Sequence, residues 1–235
     1  ILGTTDTPRG DLAREPDAFA EEVQFILGES ARYLKRAPTS VDVKSIWVGL
    51  RPLVKPPDDD GANTKGLSRE HTVLASRSGL ITVTGGKRTT YRAMAEDVPE
   101  KCFEQSLLKR ISAGVTTNLQ LVGAAGVAAN RQRICDAPGG HSYGGERPAV
   151  EALPGAGHDL GGGLTEAMVR FAARHEYART AEDVLARRSR LLFLDARMAA
   201  GMASDVADIL AVETGRDADM KSFNALAKRY VTLPV

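Results

Sequence analysis

The chain has 235 residues, 43% of them hydrophobic and 26% charged, with a formal net charge of +1. That length can bury a substantial core in one large or two small domains, while the near-neutral balance gives no support for a nucleic-acid partner. No apolar run approaches the roughly 18–20 residues that cross a bilayer, the N-terminus lacks the basic-then-apolar order of a signal peptide, and two cysteines, Cys102 and Cys135, fit a reducing compartment better than a disulfide scaffold.

The chain opens on an apparent strand, ILGTTDTP, without an initiator methionine, as expected of an internal piece of a longer protein. Asp17 is placed to cap a helix whose apolar residues Phe19, Val23, Ile26, Leu27, Ala31 and Leu34 share one face. After Pro38-Thr39-Ser40, alternation over Val41 to Val48 predicts a strand ending at Gly49-Leu50-Arg51-Pro52. The Asp58-Asp59-Asp60-Gly61 run lacks the downstream glutamate of a calcium loop and reads as a solvated acidic turn. Thr72 to Ser76 and Leu80 to Thr84 flank Arg77-Ser78-Gly79 as a hairpin, and Gly85-Gly86-Lys87 then turns the chain into a helix starting at Thr90 and kinking or restarting at Pro99. Many glycines between 114 and 163 suggest a linker or a loose entry to a second domain. Beyond it the pattern is helical: Thr165 caps one segment, Thr180 and Asp183 form a capping box before Val184, Leu185, Leu191 and Leu192, and two further stripes run through Val206, Ile209, Leu210 and through Met220, Phe223, Leu226, Ala227, Tyr230.

The candidate chemistry lies in the first half. A glycine pair between a strand end and a helix start lets backbone N–H groups approach a flat or anionic ligand closely, and Lys87 adds a movable positive charge there. Arg51 and Arg69, with Lys87, could jointly hold a small phosphorylated substrate, since a guanidinium takes two phosphate oxygens at once. Composition alone favours the plainer reading of each as a solvated surface charge. The Leu121 to Gly126 stretch and Gly155-Ala156-Gly157 lack the spacing of a dinucleotide loop and read as turns, and the four histidines lack zinc-ligand spacing, so no metal is expected.

Longer motifs go further. GTTDT at 3–7, WVGLRPLV at 47–54, LSREHTV at 67–73, SGLITVTGGKRTTYRAMAED at 78–97 and LGGGLTEAMVRFAARHEYARTAEDVLARRSRLLFLDARMA at 160–199 resemble the FAD-dependent glycerol-3-phosphate dehydrogenases and related oxidases. The resemblance implies an α+β fold: residues 1–110 as the C-terminal part of a two-lobed FAD- and substrate-binding domain, and 111–235 as a small α-helical C-terminal domain. It implies oxidation of sn-glycerol 3-phosphate to dihydroxyacetone phosphate, with electrons passed to quinone, and an enzyme attached peripherally to the inner face of the cell membrane from the cytoplasmic side, with a homodimer possible. Arg51 and Lys87 take catalytic places, Arg51 and Arg69 bind substrate, and Gly85, Gly86, Lys87, Arg88, Thr89 and Thr90 lie against the flavin. Arg88 stands where relatives often carry Trp or Leu, and Glu70 where Asp is usual. An N-terminal dinucleotide fingerprint falls outside these residues, so the isolated piece is expected to be inactive. The alternatives are an oxidase that reduces oxygen, and a non-catalytic helical interaction module.

Overall fold

Apolar residues recur at helical spacing through the C-terminal half, and in a computed structural model describing residues 1–51, 53, 70–111, 114–124 and 136–234 they form a helical cluster. Helix α4 (Glu166–His175) begins where the Thr165 hydroxyl accepts from the Met168 N–H at 3.3 Å, as its sequence predicts. Its buried face, Ala167, Met168, Phe171 and Ala172, packs on α7 (Ala203–Thr214), which Gly215 ends in the left-handed conformation. The Thr180–Asp183 capping box is formed in both directions, at 3.2 and 3.0 Å, and opens a π-helical turn, Asp183–Arg188, that buries Val184 and Leu185. Short helices α5 (Leu191–Leu194) and α6 (Ala196–Gly201) follow, and α8 (Met220–Val231) closes the cluster with Phe223, Ala227 and Tyr230 buried. Among the described residues every fully buried apolar side chain falls between Val150 and Tyr230.

The chain divides into two compact units. The larger comprises Ile1–Thr5, Glu15–Val48 and Gln120–Val235; the smaller comprises Asp6–Arg14 and Gly49–Leu119. In the larger unit, α1 (Ala20–Ala31) buries none of its residues. Asp17 does not cap it. Its carboxylate accepts from Arg229 at 2.8 Å instead, and Glu22 accepts from the Phe19 N–H that starts the helix. The strand predicted over Val41 to Val48 is also absent: Ser40–Asp42 make a 3₁₀ turn, and the following extended residues meet helices rather than a partner strand. The Ile46 N–H donates to the Tyr230 carbonyl at 2.8 Å, Ser45 bridges Leu192 and Ala196, and Trp47 sets its edge against Phe193. Alternation marks a segment with one wet and one dry face, and helices supply the dry side as well as a sheet does. Ile1 to Pro8 likewise forms coil rather than the expected strand.

The described part of the glycine-rich region is more ordered than a linker. It carries a 3₁₀ segment, Gly140–Glu146, a helix α3 (Arg147–Glu151) and, at its end, a small hairpin of β3 (Asp159–Gly161) and β4 (Leu164–Thr165). Tyr143 packs edge-on against Phe171, which ties this stretch to the core. Gly163 has no room for a Cβ, because one would collide with the Pro138 carbonyl oxygen.

The described part of the smaller unit is built on a hairpin and one helix longer than a single turn. Strand β1 (His71–Ala75) pairs antiparallel with β2 (Ile81–Gly85), one residue from the predicted bounds, around a turn in which Ser76 and Gly79 close the hydrogen bonds. Helix α2 (Tyr91–Glu104) runs through Pro99 without ending there, since a proline costs one N–H bond and the helix continues for a turn beyond it. Mixed helix and small sheets make an α+β protein; each sheet seen among the described residues has two strands.

Candidate functional site

The Gly85–Thr90 turn is built from the end of a ladder. His71 pairs with Gly85 at the last register position, and Gly85 and Gly86 then take φ of 77° and 83°, which only glycine adopts without strain. Lys87 returns to extended geometry, and its carbonyl accepts both the Thr90 N–H and the Thr90 hydroxyl at 3.0 Å. Arg88–Thr90 form a 3₁₀ turn and α2 begins at Tyr91, one residue later than predicted. The Thr90 hydroxyl is therefore turned back on Lys87 and does not cap the helix.

This start of α2 suits a negatively charged ligand. Among the described residues no side chain caps it, its first turn holds no acidic residue, and the side chains of Lys87, Arg88, Thr89 and Thr90 are exposed. Helix-start N–H groups without internal partners carry partial positive charge, and two cations stand beside them. The donor set thus fits the electron-rich edge of a flavin.

Gly86 is closed on its other side. A Cβ there would lie 2.6 Å from the Met94 sulfur and 3.0 Å from the His71 Cβ, so the loop is wedged between β1 and α2. The His71 Nε2 meets the Asp97 carboxylate of α2 at 2.7 Å. Sequence reasoning passed over this pair; the signal was a histidine immediately before the hairpin and an aspartate seven residues into the helix.

Arg51 is half exposed and pairs through its Nε with Asp6 at 3.2 Å, both within the smaller unit. Arg69 and the Asp58–Gly61 run lie outside the described residues. Arg92, Glu96 and Thr116 form a polar link from α2 to the turn at 116–118, and hydrogen bonds from Thr116 and then Arg92 hold the Glu96 carboxyl below its usual range.

A second cluster lies in the larger unit, around a cavity of about 380 Å³ touched by Tyr143, Glu146, Glu176 and Arg188. The Glu176 Oε2 is buried with no hydrogen-bond partner among the described residues, and burial pushes its carboxyl up against the opposing charge of Arg188. Among the described residues no group of histidine, cysteine and carboxylate side chains is arranged to hold a metal, and no helix is long and apolar enough to cross a membrane.

Comparison with known proteins gives two kinds of match. Residues 140–221 match the family description of the C-terminal domain of alpha-glycerophosphate oxidase. Over nearly all of its length the chain is similar to glycerol-3-phosphate dehydrogenases: 36% identical to the mitochondrial protein SDP6 of Arabidopsis thaliana over 91% of the chain and 38% of that relative, 32% to the mitochondrial protein of Schizosaccharomyces pombe over 92% and 41%, and 32% to glycerol-3-phosphate dehydrogenase 2 of Mycobacterium tuberculosis over 97% and 42%. The chain thus spans about two-fifths of the length of these relatives.

Proposed function

We propose, since the chain belongs to the glycerol-3-phosphate dehydrogenase family and matches the C-terminal part of its members, that the full-length protein oxidises sn-glycerol 3-phosphate to dihydroxyacetone phosphate using FAD. The observation that carries this reading is the Gly85–Gly86 turn, which delivers Lys87 to an uncapped helix start free of acidic residues. In this proposal residues 1–110 belong to a two-lobed FAD- and substrate-binding domain, and residues 111–235 form a helical domain.

A bound flavin would supply the two-electron acceptor for the hydride on the substrate's central carbon, the hydroxyl proton being released to water. Arg51 and Arg69 hold the phosphate and orient the carbinol hydrogen, a fixed geometry that contributes by lowering the entropy cost of reaction. Asp6 steadies the Arg51 guanidinium through their ion pair. Lys87 with the N–H groups at the start of α2 would stabilise the negative charge that such an acceptor gains. Gly85, Gly86, Arg88, Thr89 and Thr90 shape the surface on which that ring rests.

The electrons pass on to a membrane quinone, with the protein attached peripherally to the inner face of the membrane, as a homodimer in this reading. A second reading has one observation behind it: the domain description matched by residues 140–221 is named for an oxidase, in which oxygen takes the electrons and peroxide forms. Turnover of full-length protein with sn-glycerol 3-phosphate in air, followed by peroxide and by a quinone-like dye, separates the two. Dye reduction without stoichiometric peroxide supports the dehydrogenase; one peroxide per substrate supports the oxidase; neither product sinks both.

A further inference from the structure

We infer that His71 and Asp97 form a clasp that positions Lys87 for this reaction, an inference resting on the flavin reading above. Three contacts converge on the same loop. His71 pairs with Gly85 across the ladder, its Cβ lies against Gly86, and its Nε2 donates to the Asp97 carboxylate at 2.7 Å. Met94 and Asp97 are three residues apart on α2 and so share a face; the first fills the space over Gly86 while the second holds the imidazole. Strand and helix are thereby joined on either side of a backbone that would otherwise be free to swing, because two successive glycines have no side chains to restrain it.

The pair's value is in geometry more than stability. The Asp97 side chain is 56% exposed and that of His71 20% exposed, and pairs so placed contribute little to stability. Neither residue lies in the set assigned to substrate or flavin, so His71 acts through Lys87 as a positioning residue. A lysine that stabilises charge developing in the transition state must already be in place, and misplacement by about 1 Å costs on the order of 100-fold in rate. Loosening the clasp should therefore lower turnover while leaving phosphate binding at Arg51 largely intact.

The test uses full-length protein carrying His71→Ala, His71→Gln and Asp97→Ala, with FAD content, flavin midpoint potential, kcat and KM for sn-glycerol 3-phosphate measured for each. Glutamine keeps an N–H donor near the place of Nε2. The expected result is FAD retained, KM within about threefold of wild type, and kcat reduced roughly tenfold or more with a more negative potential in His71→Ala and Asp97→Ala, as follows from displacing an electrostatic group. His71→Gln should recover most of the kcat and potential. Should His71→Ala fail to fold, Asp97→Ala on the exposed helix face decides alone. Wild-type kcat and potential in the alanine variants, or a glutamine variant as impaired as alanine, overturns the clasp while leaving the flavin reading intact. A wild-type protein that neither holds FAD nor oxidises the substrate overturns both.

Discussion

Arg51 and Lys87 look alike in composition and differ in setting. Arg51 has a carboxylate partner in Asp6, whereas Lys87 stands exposed at a helix start that repels no anion. Arg51→Ala in the full-length protein should raise KM and lower kcat together, because the phosphate contact is made before and during reaction. Lys87→Ala should leave KM less affected and make the flavin harder to reduce, seen as a more negative midpoint potential. Normal FAD content, potential and turnover in Lys87→Ala would mean that it is only a surface charge. Lys87 and its glycines were legible in the sequence because a strand, two glycines and helix formers in that order allow few backbones. Asp6 as the partner of Arg51, and Asp97 as the partner of His71, were not: 45 and 26 positions separate them, and no local pattern encodes a long-range ion pair.

Among the elements, α4 and α7 are tied by charge as well as by packing. Glu213, its side chain only 7% exposed, accepts from Arg174 and Arg170, and Arg170 also reaches Glu166, which His158 contacts at 2.9 Å. Hydrogen bonds from Arg174 and Arg170, working against burial, hold the Glu213 carboxyl below its ordinary range. A carboxyl depressed in the folded state contributes stability that is fully present above its unfolded value, about 4.3, and is lost as pH falls through the folded value. Glu213→Gln should thus cost about 2 kcal/mol at pH 7, between an exposed and a fully buried pair, or roughly 4–8 °C in melting midpoint, and the gap from wild type should close below about pH 4. Melting curves at the two pH values check this; a gap independent of pH would assign the loss to packing. Gly155 stands at φ 82° against the Glu166 side chain, so Gly155→Ala should strain the backbone and disturb the same network. Helices here were legible from period and caps. The false strand at Val41 to Val48 was not, because alternation reports a half-buried face without naming what buries it.

For the whole molecule, burial is uneven. The helical unit has a continuous core, while the hairpin unit leaves Leu74, Leu80, Tyr91 and Ile111 exposed and, among its described residues, buries none completely. A two-stranded hairpin with one helix is marginal in water without further packing, so in the relatives' longer chains this unit should find more of its core elsewhere. Hydrogen exchange comparing residues 1–235 with full-length protein should show Val169, Leu185 and Phe223 protected in both, and the β1–β2 amides strongly protected only in the full-length protein. Equal protection of the hairpin in both would show that the unit is self-sufficient. The family assignment was legible because its motifs are long and ordered along the chain; an enclosing fold was not, since a two-stranded hairpin and one helix do not by themselves specify one.

The most direct measurement mixes purified full-length protein anaerobically with sn-glycerol 3-phosphate while the visible spectrum is recorded. The account predicts a bound flavin whose absorption near 450 nm, the ordinary oxidised-flavin band, bleaches with about one equivalent of substrate and yields dihydroxyacetone phosphate, with slower bleaching in Lys87→Ala. A protein purified without flavin that takes none up, or a bound flavin that the substrate leaves oxidised, would contradict it.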